Sequence, residues 1–244
     1  MIDTELSNRA IIRISATDEA EDIREFLQGL LTQDLQLVQP EAPQWAALLS
    51  AQGKVMYDFF LWADGKDILV DCESDIAEAL AKRFKLYRLR RKIGIELDDQ
   101  KTVHWSKDKV EHPSDPRLPE LGHRWLAHSD GGDSVDEHYL AHRLSLGVTE
   151  GQAELGMEKT LWLECNADEL NGVSFTKGCY VGQENTARMN YRQKINRRMV
   201  VVPLGQADEK RQRTAYPELS LSVEHRRVDD LDGLPLPAWL SKAL

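Results

Sequence analysis

Residues 171–184 read Asn171-Gly-Val-Ser-Phe-Thr-Lys-Gly-Cys-Tyr-Val-Gly-Gln-Glu184 and are the most informative stretch of the chain. Glycines such as Gly178 and Gly182 let the backbone adopt positive φ or approach a ligand closely. Cys179 lies between them, close to Lys177, and a nearby ammonium favours the thiolate, which is the reactive form of cysteine. The stretch predicts an exposed loop that presents Cys179 as a nucleophile or a soft metal ligand. The alternative is a small buried core residue, the usual fate of a free cysteine.

The other two cysteines, Cys72 and Cys165, lie within apolar strand patterns and are expected in the core. Three cysteines without a C-x-x-C pair do not form a disulfide framework and indicate a reducing compartment. Iron–sulfur clusters typically need four ligands. If Cys179 touches a cluster, another protein must therefore complete the ligand set.

The chain has 244 residues, of which 41% are hydrophobic and 30% charged, an ordinary globular composition. The net charge of −10 argues against a dedicated nucleic-acid coat protein. No apolar run reaches the ~18 residues of a membrane span, and Met1–Arg9 lacks the apolar core of a signal peptide. We expect a cytoplasmic protein, or one in an equivalent reducing compartment, with no membrane partner.

The first part of the chain alternates strand and helix patterns. We expect a helix over about Glu19–Leu31, capped from Asp18, and a strongly apolar strand over Val55–Trp62. Strand patterns dominate after Met199, and the charged stretch Asp208–Arg213 is typical of an exposed loop. The pattern predicts an α+β protein with one domain over residues 1–195 and a short β-rich domain over 196–244.

The eight residues Lys177–Glu184 match the signature K-G-C-Y-x-G-Q-E of the YgfZ family. These folate-binding proteins are related to the T-protein (aminomethyltransferase) of the glycine cleavage system and include mitochondrial iron–sulfur assembly relatives. Phe26–Asp34 resembles the family's F-L-Q-G-x-x-T-x-D, and Asp115-Pro-Arg117 with Gly122 and Arg124 resembles D-P-R-x-x-x-x-G-x-R. The resemblance extends over roughly residues 9–200.

The resemblance implies an aminomethyltransferase-like fold with a folate channel and a short C-terminal, β-rich, barrel-like part. It implies that Asp58 and Glu164 contact tetrahydrofolate and that Cys179, aided by Lys177, is the reactive thiol. The rest of the motif loop comprises Gly178, Tyr180, Gly182, Gln183 and Glu184. T-proteins have paired acids where this chain has Tyr57 and Asp58, a departure that speaks against aminomethyl transfer but not against folate binding. An exposed strand position for Asp58 and an edge ion pair for Glu164 are the structural alternatives.

The function that the resemblance favours is a tetrahydrofolate-binding accessory protein. It would support assembly or repair of iron–sulfur enzymes, with iron–sulfur assembly proteins or client enzymes as partners. One alternative is a folate-dependent one-carbon transferase or demethylase. A second is an RNA-binding factor that assists tRNA modification. Its cationic surface would come from two basic runs, Lys82–Lys92 and Arg188–Arg198.

The motifs of several common enzyme classes are absent from the sequence. It contains no Walker A, G-x-G-x-x-G or G-x-S-x-G pattern, so nucleotide hydrolysis, dinucleotide chemistry and serine-hydrolase chemistry are unsupported. His138 and His142 have a metal-compatible spacing on a predicted helix, but no third ligand accompanies them. We therefore predict no metal site.

Overall fold

The structure is a computed structural model that describes residues 4–129, 131–192 and 195–244. The strands are β1 Glu5–Leu6, β2 Arg9–Ala16, β3 Gln44–Leu49, β4 Val55–Asp64, β5 Asp67–Glu73, β6 Ile93–Asp98, β7 Thr102–Ser106, β8 His123–Ala127, β9 Arg197–Pro203, β10 Gln212–Tyr216 and β11 Leu221–Arg227. The helices are α1 Ile23–Gln28, α2 Ala77–Arg88, α3 Asp136–Ser145, α4 Gly151–Leu155, α5 Gln183–Arg192 and α6 Ala238–Ser241. The expected α+β class is confirmed.

The central element is a five-stranded antiparallel sheet with the order β3-β4-β5-β2-β6. Both faces of this sheet are covered, which explains why β4 is an almost continuous apolar run. Phe59 faces a core layer with α2, where its ring lies 6.0 Å from that of Phe84. Phe60, the next residue along the strand, faces the other layer, which contains Trp45 and Trp162.

Helix α1 is shorter than the sequence pattern suggests. Its N-cap is Asp22, whose carboxylate accepts the backbone N–H of Glu25 at 3.1 Å. The predicted start near Asp18 was therefore wrong, because a later acid satisfies the free N–H groups of the first turn. The helix ends at Gln28, immediately before residues that contact the motif loop.

The C-terminal residues form a three-stranded sheet with the order β10-β11-β9, and within the described residues it stays open and does not close into a barrel. Met199 and Val201 of β9 join the core layer of Trp45 and Trp162. Val200 and Val202 point to the opposite face. This sheet packs on the larger part, and the domain division at 195/196 stays a prediction.

Two further features complete the fold. Strands β1, β7 and β8 form a small antiparallel sheet beside the central one. The C-terminal tail lies against the body, where Leu240 is buried and the Trp239 indole donates to the carbonyl of Leu146 at 2.9 Å. None of the helices in the described part of the chain is long and apolar enough to cross a membrane.

Candidate functional site

The motif loop Lys177–Glu184 leads directly into helix α5, and its backbone explains its glycines. Gly178 and Gly182 have φ of +99° and +83°. A Cβ at Gly182 would stand 2.5 Å from the carbonyl oxygen of Ser50 and 2.9 Å from Cβ of Leu49. Gly182 is therefore required both by its positive φ and by close packing on the β3–β4 hairpin.

Lys177 attaches the loop to the end of helix α1. Its ammonium donates to the backbone carbonyls of Gln28 and Leu31, the latter at 2.6 Å, and lies 4.9 Å from the ring centroid of Tyr180. Burial lowers the pKa of this amine to about 8. The structure thus assigns Lys177 an anchoring contact, and its effect on the Cys179 thiolate stays a prediction.

The remaining motif residues stiffen the loop around the thiol. Tyr180 is buried, and burial raises the pKa of its hydroxyl to about 12. The side-chain amide of Gln183 donates to the carbonyl of Gly178 at 3.0 Å. Glu184 pairs with Arg188 one turn along α5 at 2.7 Å. Side-chain contacts hold the loop on both sides of Cys179, while Cys179 itself is exposed.

The three cysteines separate as the sequence pattern predicts. Cys72 and Cys165 are fully buried, whereas Cys179 is exposed. Burial raises the pKa of the Cys72 thiol to about 12. Burial, reinforced by the charges of Asp58 and Glu164, raises the pKa of the Cys165 thiol well above its usual range. The two core thiols are therefore held protonated and unreactive.

Asp58 is buried in the middle of β4, so the alternative of an exposed strand position is wrong. The residue lies in a sheet that is covered on both faces. Its carboxyl accepts the indole N–H of Trp45 at 3.2 Å and the backbone N–H of Gly151 at 3.1 Å. Burial, together with the charges of Glu150 and Glu73, raises the pKa of Asp58 to about 7. This carboxyl can change its protonation state near neutral pH.

Glu164 lies on a 3₁₀-helix over Trp162–Cys165, close to the C-terminal sheet. Its Oε2 accepts the backbone N–H of Leu161 at 3.3 Å and lies 3.1 Å from Nε2 of His225 on β11. The charges of Asp58 and Glu164 both raise the pKa of the Cys165 thiol. No hydrogen bond or ion pair joins Cys179 to either acid, all three being described residues.

A buried ionic network beside Asp58 was not predicted as part of the site. The Arg117 guanidinium, fully buried, donates to Asp115 at 2.7 Å and to Glu150 at 2.6 Å. Although burial alone would raise it, the guanidinium groups of Arg117 and Arg9 hold the pKa of Glu150 well below its usual range. The D-P-R motif was the available signal, because it contains both Asp115 and Arg117.

The two basic runs are partly neutralised within the chain. Arg91 pairs with Glu21 and Glu25 at 2.8 and 3.0 Å. Arg198 is buried against Glu169 at 2.7 Å. Lys194 and the side chain of Arg192 lie outside the described residues. The cationic surface available to RNA is smaller than the residue count suggests.

The predicted helix that carries His138 and His142 is α3. The ring of His142 is hydrogen-bonded through Nε2 to the carbonyl of Glu120 at 2.8 Å. His138 is exposed. Across the parts of the chain that the structure describes, no group of three or more His, Cys, Asp or Glu residues could hold a metal ion.

The fold has a clear counterpart among solved structures. The glycine cleavage system aminomethyltransferase T from Bartonella henselae superposes with a TM-score of 0.62, covering 92% of this chain and 78% of that one, at 12% sequence identity. The expected aminomethyltransferase-like fold is therefore confirmed. No family model matches the chain.

Curated relatives match over most of the chain. A mitochondrial iron-sulfur cluster assembly factor IBA57 homolog of Pyricularia oryzae is 31% identical, covering 98% of this chain and 65% of the relative. The mitochondrial IBA57 factors of Mus musculus and Homo sapiens are each 33% identical, covering 82% and 81% of this chain and 65% of each relative. The chain thus spans a little less than two thirds of the length of these relatives.

The names of these relatives correct one expectation. They place the homologues in mitochondria, so the predicted cytoplasmic location is wrong. Free thiols indicate a reducing compartment but do not say which one. These relatives are named as iron–sulfur cluster assembly factors. Signature, fold and relatives agree, and the predicted resemblance to the YgfZ family is confirmed.

Proposed function

We propose that this protein is a tetrahydrofolate-binding accessory factor that supports the assembly or repair of iron–sulfur enzymes. The observation that carries the proposal is the contrast among its thiols. Cys179 is exposed on a loop held by Lys177 and Gln183, while Cys72 and Cys165 are buried. A reactive thiol on a rigid loop suits a protein that presents one sulfur ligand to a partner.

The cluster in this proposal is cargo and not a resident cofactor. One thiolate fills one of the four ligand positions that a cluster typically requires. Cys179 therefore acts transiently, and iron–sulfur assembly proteins or client enzymes supply the remaining ligands. The exposure of Cys179 makes such sharing sterically feasible.

The residues around Glu164 fit a folate. A pterin presents an amide-like edge of N–H donors, and a carboxylate accepts from such an edge in two places. The Glu164 side chain retains 12% exposure, and its Oε1 has no donor within the described residues. Asp58 lies deeper, with a carboxyl that can hold or release a proton near pH 7. Bound tetrahydrofolate would supply a carrier for one-carbon units.

The folate part is tested by titrating tetrahydrofolate into wild type, Glu164→Ala and Cys179→Ala. We expect Glu164→Ala to weaken binding about tenfold or more, since a charged hydrogen-bond partner is lost. Cys179→Ala should bind as wild type does, because the thiol does not contact Glu164. Absence of binding by wild type, or unchanged binding by Glu164→Ala, contradicts the folate site.

The thiol part is tested by labelling with a disulfide reagent such as Ellman's reagent. We expect one fast-reacting thiol per native chain and three after unfolding, since three cysteines are present and two are buried. Cys179→Ser should abolish the fast reaction, while the matched control Cys72→Ala should retain it. Fast labelling that survives in Cys179→Ser would exclude Cys179 as the reactive thiol.

A one-carbon transferase is a second candidate because of one observation, the pKa of Asp58 near 7, which suits general acid–base work. This alternative predicts conversion of tetrahydrofolate to 5,10-methylene-tetrahydrofolate with a small amine. Asp58→Asn should then abolish turnover while Cys179→Ala preserves it. The accessory role predicts that Cys179→Ala abolishes the support of iron–sulfur enzyme activity.

A further inference from the structure

A polar cluster lies where the 3₁₀-helix Trp162–Cys165 meets the C-terminal sheet. His225 of β11 is 8% exposed, and its Nδ1 lies 3.4 Å from the guanidinium of Arg213 on β10. The same guanidinium group donates to the hydroxyl of Thr160 at 3.3 Å. The other ring nitrogen of His225, Nε2, faces Glu164 at 3.1 Å.

The position of Arg213 determines which nitrogen of His225 carries the proton. A guanidinium group can only donate hydrogen bonds, so Nδ1 must accept with its lone pair. The ring hydrogen is consequently on Nε2, the nitrogen that lies on the side of Glu164. Arg213 thus sets the imidazole tautomer that faces the proposed folate acid.

This Nε2–H group is an unused donor. Although Nε2 lies near Glu164, the approach falls outside hydrogen-bond geometry, and Nε2 is a buried atom without a hydrogen-bond partner in the described part of the chain. Buried polar atoms are normally satisfied, so an orphan of this kind beside a partly exposed carboxylate indicates a missing ligand group. The neighbouring Oε1 of Glu164 likewise has acceptor capacity to spare.

We infer that His225 completes the ligand site, with Arg213 as its positioning residue. The site then offers an acceptor and a donor side by side, which matches a cyclic amide with its N–H next to its C=O. The 4-oxo edge of a pterin has this arrangement, so Glu164 accepts from the ring N–H and His225 donates to the carbonyl. This inference rests on the proposed folate-binding function and assigns part of the site to the C-terminal sheet.

The test compares two ligands that differ at one position. Tetrahydroaminopterin replaces the 4-oxo group of tetrahydrofolate by an amino group, so an acceptor becomes a donor and opposes Nε2–H of His225. The neighbouring ring nitrogen also loses its hydrogen and becomes an acceptor that opposes the Glu164 carboxylate. We expect wild type to prefer tetrahydrofolate by about tenfold or more, because mismatched buried polar groups are strongly discriminated. His225→Leu should weaken tetrahydrofolate binding and lower the affinity ratio, leaving only the share of the preference that Glu164 contributes.

Three variants separate this role from a structural one. His225→Gln keeps an N–H donor and should restore much of the preference, whereas Arg213→Met should reduce it by freeing the tautomer. His138→Leu removes an exposed histidine and serves as the matched control, with an unchanged ratio. If His225→Leu does not fold, the Arg213→Met ratio decides.

The outcomes distinguish the two levels of the proposal. A wild-type protein that binds tetrahydrofolate, with the same affinity ratio in His225→Leu and Arg213→Met, overturns the role of His225 alone. A wild-type protein that binds neither ligand contradicts the folate site itself. A ratio that falls in both variants and recovers in His225→Gln supports the inference.

Discussion

Replacing Asp58 by asparagine should remove a large part of the pH dependence of stability. The pKa of this buried carboxyl is about 7 in the folded protein, against an ordinary value of 3.8. The folded state therefore binds more protons than the unfolded state between these two values. Stability from this group is complete below pH 3.8, declines as pH rises, and is lost above pH 7.

The magnitude follows from the shift. About three pKa units correspond to about 4 kcal/mol, of which about 2.5 kcal/mol fall between pH 5 and pH 8. An asparagine side chain carries no charge at any pH, so Asp58→Asn lacks this decline. The variant also loses one buried hydrogen bond, because an amide N–H₂ cannot accept from the Trp45 indole, which lowers stability equally at all pH values.

The assay is urea unfolding of wild type and Asp58→Asn at pH 5, 6, 7 and 8. We expect the unfolding free energy of wild type, relative to that of Asp58→Asn, to fall by about 2.5 kcal/mol from pH 5 to pH 8. Asp230→Asn, at an exposed acid, is the matched control and should give a constant difference. Parallel stability curves for wild type and Asp58→Asn would refute the reasoning.

Three further predictions concern the loop and the buried network. Gly182→Ala should cost about 1–3 kcal/mol more than Gly178→Ala in thermal or urea unfolding, since only the first Cβ meets backbone and side-chain atoms; equal losses would contradict the packing. Between pH 8 and 10.5 the Lys177 amine of the folded protein has lost a proton that the unfolded chain keeps, so wild-type stability rises with pH. Lys177→Met should abolish this rise. A Tm difference between wild type and Lys177→Met that stays constant over this pH range would contradict the prediction. Arg117→Met should cost about 3–5 kcal/mol by stranding buried carboxylates, against about 0–1 for the exposed pair of Arg188→Met. Similar urea midpoints for Arg117→Met and Arg188→Met would contradict this difference in stability.

The elements that could be predicted are those with a strong apolar pattern. Strand β4, Val55–Asp64, lies close to the predicted apolar strand Val55–Trp62. Strand β10 was missed because all five of its residues are half-buried, so no alternation marks it. Among the described strands it pairs only with β11, and an edge strand next to a charged turn resembles a loop in sequence.

The candidate site also contains residues whose placement follows from the local sequence and residues whose placement does not. The exposed Cys179 and the buried Cys72 and Cys165 followed from their local settings. The burial of Arg117 and Asp58 did not, because charged residues are ordinarily exposed and only tertiary partners distant in sequence satisfy them. His225 gave no local signal, since its relation to Glu164 arises from the packing of β11 on the 3₁₀-helix.

The most direct test of the account is the activity of iron–sulfur enzymes in cells that depend on this protein. Cells should be complemented with wild type, Cys179→Ser or the control Cys72→Ala, at matched protein levels. The account predicts that Cys72→Ala restores enzyme activity and Cys179→Ser does not. Full enzyme activity with Cys179→Ser would contradict it.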